Sequence, residues 1–186
     1  MPLEIEHKFL VSSDAWRADV VRATPMAQGY LCADGGRIVR VRVAGDAAFL
    51  TVKGPASPAA DGSGAFARPE YEFPIPVPDA REMLGTLAMG PVILKTRHEA
   101  PARGGPPGLF WEIDVFEGDN AGLIVAEIEL PALDTPFDRP GWLGREVTAE
   151  ARYRNSALSR RPFKDWSPEE RAGAHGAARA TGKPRG

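Results

Sequence analysis

A chain of 186 residues, 43% apolar and 26% charged with a net charge of −2, suits one soluble domain with a substantial core and is too short for two ordinary ones. Its single cysteine, Cys32, excludes an intramolecular disulfide scaffold. Glu4, Glu6 and Lys8 interrupt the first apolar stretch, so no signal peptide is expected there. The uncharged run Met83–Leu94, broken by Gly85, Gly90 and Pro91, is too short to span a bilayer. A cytoplasmic protein is the default expectation.

Charge is unevenly placed. From Arg160 onward there are seven basic and three acidic residues, which leaves 16 basic and 22 acidic residues in the body. An acidic body argues against nucleic-acid binding and suits a protein that holds cations. Residues 161–186 read as a basic tail, and its end from Gly173 has no apolar period and is expected to be disordered.

In chain order, period-two alternation predicts strands at Glu4–Val11, Met26–Cys32, Arg37–Ala44, Ala47–Lys53, Arg68–Pro74, Val92–Glu99, Leu109–Phe116 and Leu123–Leu130. Helices are predicted at Ser13–Ala23, at Asp79–Met89 with a capping-box pattern in Asp79 and Glu82, and at Thr148–Ser159. Ala44–Ala47 and Glu117–Ala121 read as hairpin turns, and Gly54–Ala67 and Ala100–Gly108 as loops. The expected fold is α+β: an eight-stranded antiparallel β-barrel with helices packed outside.

The strands share a pattern. Glu4, Glu6 and Lys8 leave one face while Ile5 and Phe9 leave the other, and Arg40 with Arg42 lies opposite Val39, Val41 and Val43. Lys53 beside Val52, and Glu70 with Glu72 opposite Tyr71 and Phe73, repeat it. So do Lys95 with Arg97, Glu112 with Asp114, and Glu127 with Glu129. One wet strand face would be ordinary for an antiparallel sheet. Long charged residues at i, i+2 in strand after strand point instead to a barrel with a charged lumen. Its signs are segregated: Arg40, Arg42, Lys53, Lys95 and Arg97 form a cationic set. Glu4, Glu6, Glu112, Asp114, Glu127 and Glu129 form an anionic set. A row of phosphates would satisfy the first and divalent cations of the Mg²⁺ or Mn²⁺ type the second.

Other chemistries fit poorly. There is no Walker loop, because Gly62-Ser63-Gly64 lacks the following Lys-Ser/Thr. His7, His98 and His175 are scattered, and His7 is expected to face outward from its strand. Trp16, Trp111 and Trp142 are expected in the core. Ser156 and Ser159 have no base beside them in sequence.

The blocks Glu4-Ile5-Glu6-His7-Lys8, Gln28-Gly29-Tyr30-Leu31, Arg40/Arg42, Thr51-Val52-Lys53, Glu70-Tyr71-Glu72, Lys95-Thr96-Arg97, Glu112-Ile113-Asp114-Val115-Phe116, Glu127-Ile128-Glu129, Arg145-Glu146-Val147-Thr148 and Arg152-Tyr153-Arg154-Asn155 resemble, in order, the CYTH superfamily of triphosphate tunnel metalloenzymes. The resemblance covers about residues 3 to 159 and implies an eight-stranded tunnel domain over residues 1–160 that binds a triphosphate with Mg²⁺ or Mn²⁺. By that resemblance Lys8, Arg40, Arg42, Lys53, Lys95, Arg97 and Arg152 would bind substrate. Glu4, Glu6, Glu112, Asp114, Glu127 and Glu129 would hold metal, with Glu4, Glu6, Lys8 and Glu129 catalytic. The ending is similar to the short bacterial inorganic triphosphatases. His7 departs from the Arg common after ExE in that branch, and Ala151 replaces a frequent Lys.

The implied activity is metal-dependent hydrolysis of inorganic triphosphate to pyrophosphate and phosphate. Thiamine or nucleoside triphosphate hydrolysis, a class IV-type adenylate cyclase and a non-catalytic polyphosphate-binding module stand as alternatives. A small-molecule triphosphate is the expected partner, with no nucleic acid or membrane required and a homodimer left open.

Overall fold

Charged–apolar alternation folds the chain into a curled antiparallel sheet, most of whose apolar positions are covered from outside, though Tyr71, Phe73 and Leu94 remain exposed. The computed structural model describes residues 5–55, 57–58, 66–67, 69–132 and 134–174. Its strands are β1 (Ile5–Val11), β2 (Arg22–Asp34), β3 (Arg37–Ala44), β4 (Ala47–Lys53), β5 (Ser57–Pro58), β6 (Phe66–Ala67), β7 (Glu70–Pro74), β8 (Ile93–Pro101), β9 (Phe110–Phe116), β10 (Ile124–Leu130) and β11 (Leu143–Glu146). The α-helices are α1 (Val77–Thr86), α2 (Asn155–Leu158) and α3 (Pro168–Ala174). Nine strands form one sheet in the order β11-β1-β10-β9-β8-β2-β3-β4-β7, and β5 pairs only with β6.

Two expectations change here. The sheet has nine strands rather than eight, and its outer strands β7 and β11 are not paired with each other, so it is an open, curled sheet rather than a closed barrel. The extra strand β11 is the four-residue Leu143-Gly144-Arg145-Glu146, too short to show alternation, and it joins β1 across a register shift between Phe9 and Val11. The hairpin between β2 and β3 turns on Gly35 and Gly36 at φ of 52° and 79°, left-handed backbone that favours glycine.

The helical expectations hold in place but not in length. Ser13–Ala23 is a 3-10 turn over Asp14–Asp19, whose Trp16 is buried, before β2 starts at Arg22. α1 begins at Val77 behind Pro76, with no side-chain cap, so the Asp79 capping box does not form. Thr148–Ser159 reduces to a 3-10 turn at Ala151–Tyr153 and the single turn of α2.

Three apolar clusters hold these elements. α1 lays Ala80 and Leu84 on Val41, Val43 and Ala48. Gly29 permits its close approach, because a Cβ there would meet Leu84 Cδ2 at 2.9 Å. Trp16, Trp111, Trp142, Phe9, Ile113 and Ile128 form a second cluster on the outer face of β1, β10 and β9, as expected for the tryptophans. His7 also lies on that outer face, donating or accepting at Glu146 Oε1 over 2.8 Å and stacked near Phe9.

The third cluster carries packed structure past residue 160. Phe163, Trp166 and Ala174 pack with Tyr153 and Leu158 onto Leu10, Tyr30, Ile93, Phe116, Leu123 and Val125. The buried Asn120 Oδ1 accepts the Phe163 backbone N–H at 2.8 Å. The basic composition concealed two large aromatics that need burial, so ordered structure runs to Ala174. The remainder of the expected tail, residues 175–186, lies outside the described residues.

α3 carries its own acid-sensitive tether. Ser167 and Glu170 form a reciprocal cap: the Glu170 carboxylate accepts the Ser167 N–H at 2.8 Å, and Ser167 Oγ accepts the Glu170 N–H at 3.2 Å. Arg161 donates twice to the same carboxylate, and with the Ser167 N–H it lowers the Glu170 pKa from 4.5 to about 2. A carboxyl depressed on folding contributes stability above its unfolded pKa and loses it as pH falls through the folded value. Amide exchange in residues 168–174, corrected for its intrinsic pH dependence, should therefore lose protection selectively between pH 4.5 and about 2. Glu170→Gln should remove that pH dependence. Equal acid sensitivity in both proteins would contradict the tether.

Candidate active site

The strand registers decide which side chains share the inner face. Opposed pairs run Glu6↔Glu129 and Lys8↔Glu127 between β1 and β10, then Glu127↔Glu112 to β9 and Asp114↔Arg97 to β8. They continue as Lys95↔Met26 to β2, Gln28↔Arg42 to β3, Arg40↔Thr51 to β4 and Thr51↔Glu72 to β7. One continuous charged face results. Towards one end the same positions turn apolar, as Leu10, Val125, Phe116, Ile93 and Tyr30, and Tyr153, Leu158, Phe163 and Trp166 cover them.

The face is concave, because ion pairs reach across intervening strands. Strands two apart lie about 10 Å from each other. Yet Arg97 Nη2 on β8 lies 3.5 Å from Glu127 Oε2 on β10, and Arg42 Nη2 on β3 lies 3.2 Å from Glu72 Oε2 on β7. Lys8, Lys53, Lys95, Asp114, Gln28 and Thr51 are buried even though the face is polar.

At its centre is Asp114, fully buried. Its Oδ1 accepts Arg97 Nε at 2.8 Å, and its Oδ2 accepts Lys95 Nζ at 2.5 Å and Arg97 Nη2 at 2.8 Å. Burial alone would push this carboxyl up, but Lys95 and Arg97 hold it far below the usual carboxylate range. Arg97 also donates to Glu112, and the Asp114, Glu112 and Glu127 carboxylates raise its pKa against the opposing effect of burial. Burial raises the Glu112 pKa, with the Asp114 and Glu127 charges adding to it. Lys8 donates to Glu127 Oε1 at 2.5 Å and lies 3.6 Å from Glu6 Oε2; these carboxylates keep it raised although burial lowers it.

On β3 and β4 the balance of charge differs. Arg40 and Arg42 share one carboxylate, Glu72, and Arg40 Nη2 also donates to Thr51 Oγ1 at 3.0 Å. Both Nε groups are buried without a hydrogen-bond partner. Burial lowers the Arg42 pKa, and the neighbouring Arg40 and Arg97 charges lower it further. Lys53 Nζ pairs with Glu70 Oε2 at 2.8 Å.

The structure thus brings together Lys8, Arg40, Arg42, Lys53, Lys95 and Arg97 with Glu6, Glu112, Asp114, Glu127 and Glu129. Glu4 lies outside the described residues. Arg152 sits in a 3-10 turn at the C-terminal cover, bound to Glu150 and close to Glu170, over the rings of Tyr153 and Trp166. Two acidic neighbours and two aromatic faces hold its guanidinium there. Sequence reasoning gave no role to Thr51, Glu70 or Glu72, although Thr51 and Glu72 face Arg40 and Arg42. The i, i+2 spacing of Glu70 and Glu72 on a strand next to Lys53 was the available signal.

The carboxylates differ in exposure. Asp114, Glu112 and Glu127 are committed to Lys95, Arg97 and Lys8. Glu6 and Glu129 are exposed and directly opposite each other on adjacent strands, an arrangement that like charges disfavour and a cation between them would relieve. Among the described residues no three His, Cys, Asp or Glu side chains form a metal cage. That donor set fits Mg²⁺ or Mn²⁺, since Mg²⁺ is commonly held by one or two carboxylates, waters and substrate phosphates. Among the described residues no helix is long and apolar enough to cross a membrane.

A curled antiparallel sheet with a charged inner face, matched over residues 2–161 by the CYTH domain, places this chain in the CYTH family. It is 43% identical over 166 residues to a protein of Acetivibrio thermocellus named inorganic triphosphatase, covering 89% of this chain and 99% of that protein. An inorganic triphosphatase of Nitrosomonas europaea is 36% identical over 159 residues, covering 84% and 96%. The solved structure of the inorganic triphosphatase NE1496 superposes with a TM-score of 0.57 at 34% identity, over 86% of this chain and 95% of that one.

Proposed function

We propose that this chain is a cytoplasmic hydrolase that converts inorganic triphosphate to pyrophosphate and phosphate with the aid of Mg²⁺ or Mn²⁺. The relatives' shared name supports the substrate. The observation that carries the reading is the Arg40–Arg42 pair, two adjacent guanidinium groups with one shared carboxylate and two buried N–H groups lacking a partner. A chain of phosphates is the ligand chemistry that such planar donor forks recognise.

Arg40, Arg42 and Lys53 bind and orient the phosphate chain. Asp114, itself bound by Lys95, holds the Arg97 guanidinium in place, so its charge is positioned before substrate arrives. Lys8, fixed by Glu127, offers an ammonium beside Glu6, where charge on a departing pyrophosphate needs neutralising. Glu6 and Glu129 would hold the divalent cation, which supplies charge neutralisation on the phosphate oxygens. The apolar cover from Tyr153 to Trp166 excludes water from the far end. Water then attacks the terminal phosphorus as the bridging P–O bond breaks, giving phosphate and pyrophosphate.

The test is incubation with tripolyphosphate, ATP and thiamine triphosphate, with and without Mg²⁺ or Mn²⁺, identifying every product. Tripolyphosphate should be turned over fastest, and only with a divalent cation. Full turnover in excess chelator, or a preference for an organic triphosphate, would overturn the assignment. Glu6→Gln should raise the metal concentration for half-maximal turnover by about ten-fold while leaving the melting temperature near that of the wild type. An unchanged metal requirement would remove Glu6 from the metal site.

A further inference from the structure

Glu72 occupies the place on β7 that an anionic ligand of Arg40 and Arg42 would need. Its Oε2 lies 3.4 Å from Arg40 Nη2 and 3.2 Å from Arg42 Nη2 and accepts the Thr51 hydroxyl at 2.8 Å, while its Oε1 lies 3.3 Å from Arg42 Nη2. Thr51, fully buried, orients it. The arginine contacts are long for charge-assisted bonds, which run about 2.7–2.9 Å. β7 has a neighbour on one side only, and its side chains are exposed. The carboxylate is therefore a loosely held internal counter-ion on an edge strand.

We propose that Glu72 is a specificity-determining counter-ion that makes triphosphate binding conditional on a divalent cation. A phosphate that takes Arg40 and Arg42 strips Glu72 of both partners and leaves the carboxylate facing the phosphate's negative charge. Free triphosphate must overcome that repulsion, whereas a triphosphate carrying a divalent cation presents positive charge to Glu72. The residue thus selects the metal complex over the free anion, and it does so from β7 rather than from the Glu6–Glu129 pair on β1 and β10. This inference rests on the triphosphatase reading above.

The experiment measures tripolyphosphate affinity by calorimetry, in chelator and in Mg²⁺, for wild type and Glu72→Gln. In chelator the variant should bind about ten-fold more tightly than wild type, because a neutral amide competes poorly with phosphate for two guanidinium groups. The gain in affinity on adding Mg²⁺ should shrink by a similar factor. A purely structural role for Glu72 would weaken binding, so the sign of the change is decisive. Thr51→Val, which keeps shape and charge but frees the carboxylate from its hydroxyl donor, should shift binding in chelator in the same direction by about three-fold and serves if Glu72→Gln does not fold. Unchanged or weaker binding in chelator, in whichever variant folds, would overturn the proposal while leaving the triphosphatase reading intact. Failure of the wild type to bind tripolyphosphate with Mg²⁺ would overturn both.

Discussion

Asp114→Asn should lower stability by roughly 3–5 kcal/mol, the usual result of removing one member of a buried ion pair. For a chain of this length that corresponds to a melting temperature about 6–20 °C lower. The size follows from the geometry: all three short bonds to Asp114 come from cations, and Lys95 and Asp114 are 2% and 0% exposed. Asparagine keeps the shape but leaves two buried positive charges with no balancing anion between them. Adding Lys95→Met should therefore recover part of the loss, and the double-mutant cycle should show strong coupling. Acid gives a second check. Because folding depresses the Asp114 pKa, its contribution is intact above the ordinary carboxylate range and is lost progressively below about pH 4. The variant's stability should fall less steeply there than that of the wild type. A variant that melts with the wild type would show that the Asp114 charge is not needed to balance Lys95 and Arg97.

The alternation that made the strands readable also made the inner face readable. A period of two assigns each residue to a face without knowledge of the partner strand, so Lys8, Arg40, Arg42, Lys95, Arg97, Glu112, Asp114 and Glu127 were all visible in sequence. Pairing was not. Nothing in the spacing says that Asp114 serves Lys95 and Arg97, because that depends on the β8–β9 register. Telling the carboxylates that bind Lys95, Arg97 and Lys8 from the exposed Glu6 and Glu129 needs the same information. The open edge was hidden because β11 is only four residues long. The C-terminal cover was hidden because net charge and glycine content outweighed Phe163 and Trp166 in a compositional reading. Ser167 with Glu170 three residues on was the local signal that a helix starts there. The partners of Arg152 were equally hidden, because its contact with Glu150, 2.7 Å away, depends on the local 3-10 turn.

Arg42→Ala should leave ligand-free stability almost unchanged and cost ten- to a hundred-fold in tripolyphosphate affinity, the equivalent of about 1.4–2.8 kcal/mol. Little stability is at stake because, among the described residues, Arg42 hydrogen-bonds only to Glu72, at 3.2 and 3.3 Å, has a buried Nε with no partner, and lies near Arg40 and Arg97. Truncation removes those unfavourable features together with the weak pair. It also removes the guanidinium above Phe49, 5.7 Å from the ring centroid, so the two sides nearly cancel. Affinity has no such compensation, since a bound phosphate loses a charged donor fork outright. At a ligand concentration of 100 times the wild-type Kd, binding stabilises the wild type by about 2.7 kcal/mol. A ten-fold weaker variant would gain about 1.4 kcal/mol, and a hundred-fold weaker one about 0.4. Melting curves with and without Mg²⁺-tripolyphosphate read this difference directly. If Arg42 were an ordinary exposed-sheet residue, both proteins would gain equally, and the phosphate-binding role of β3 would have to be abandoned.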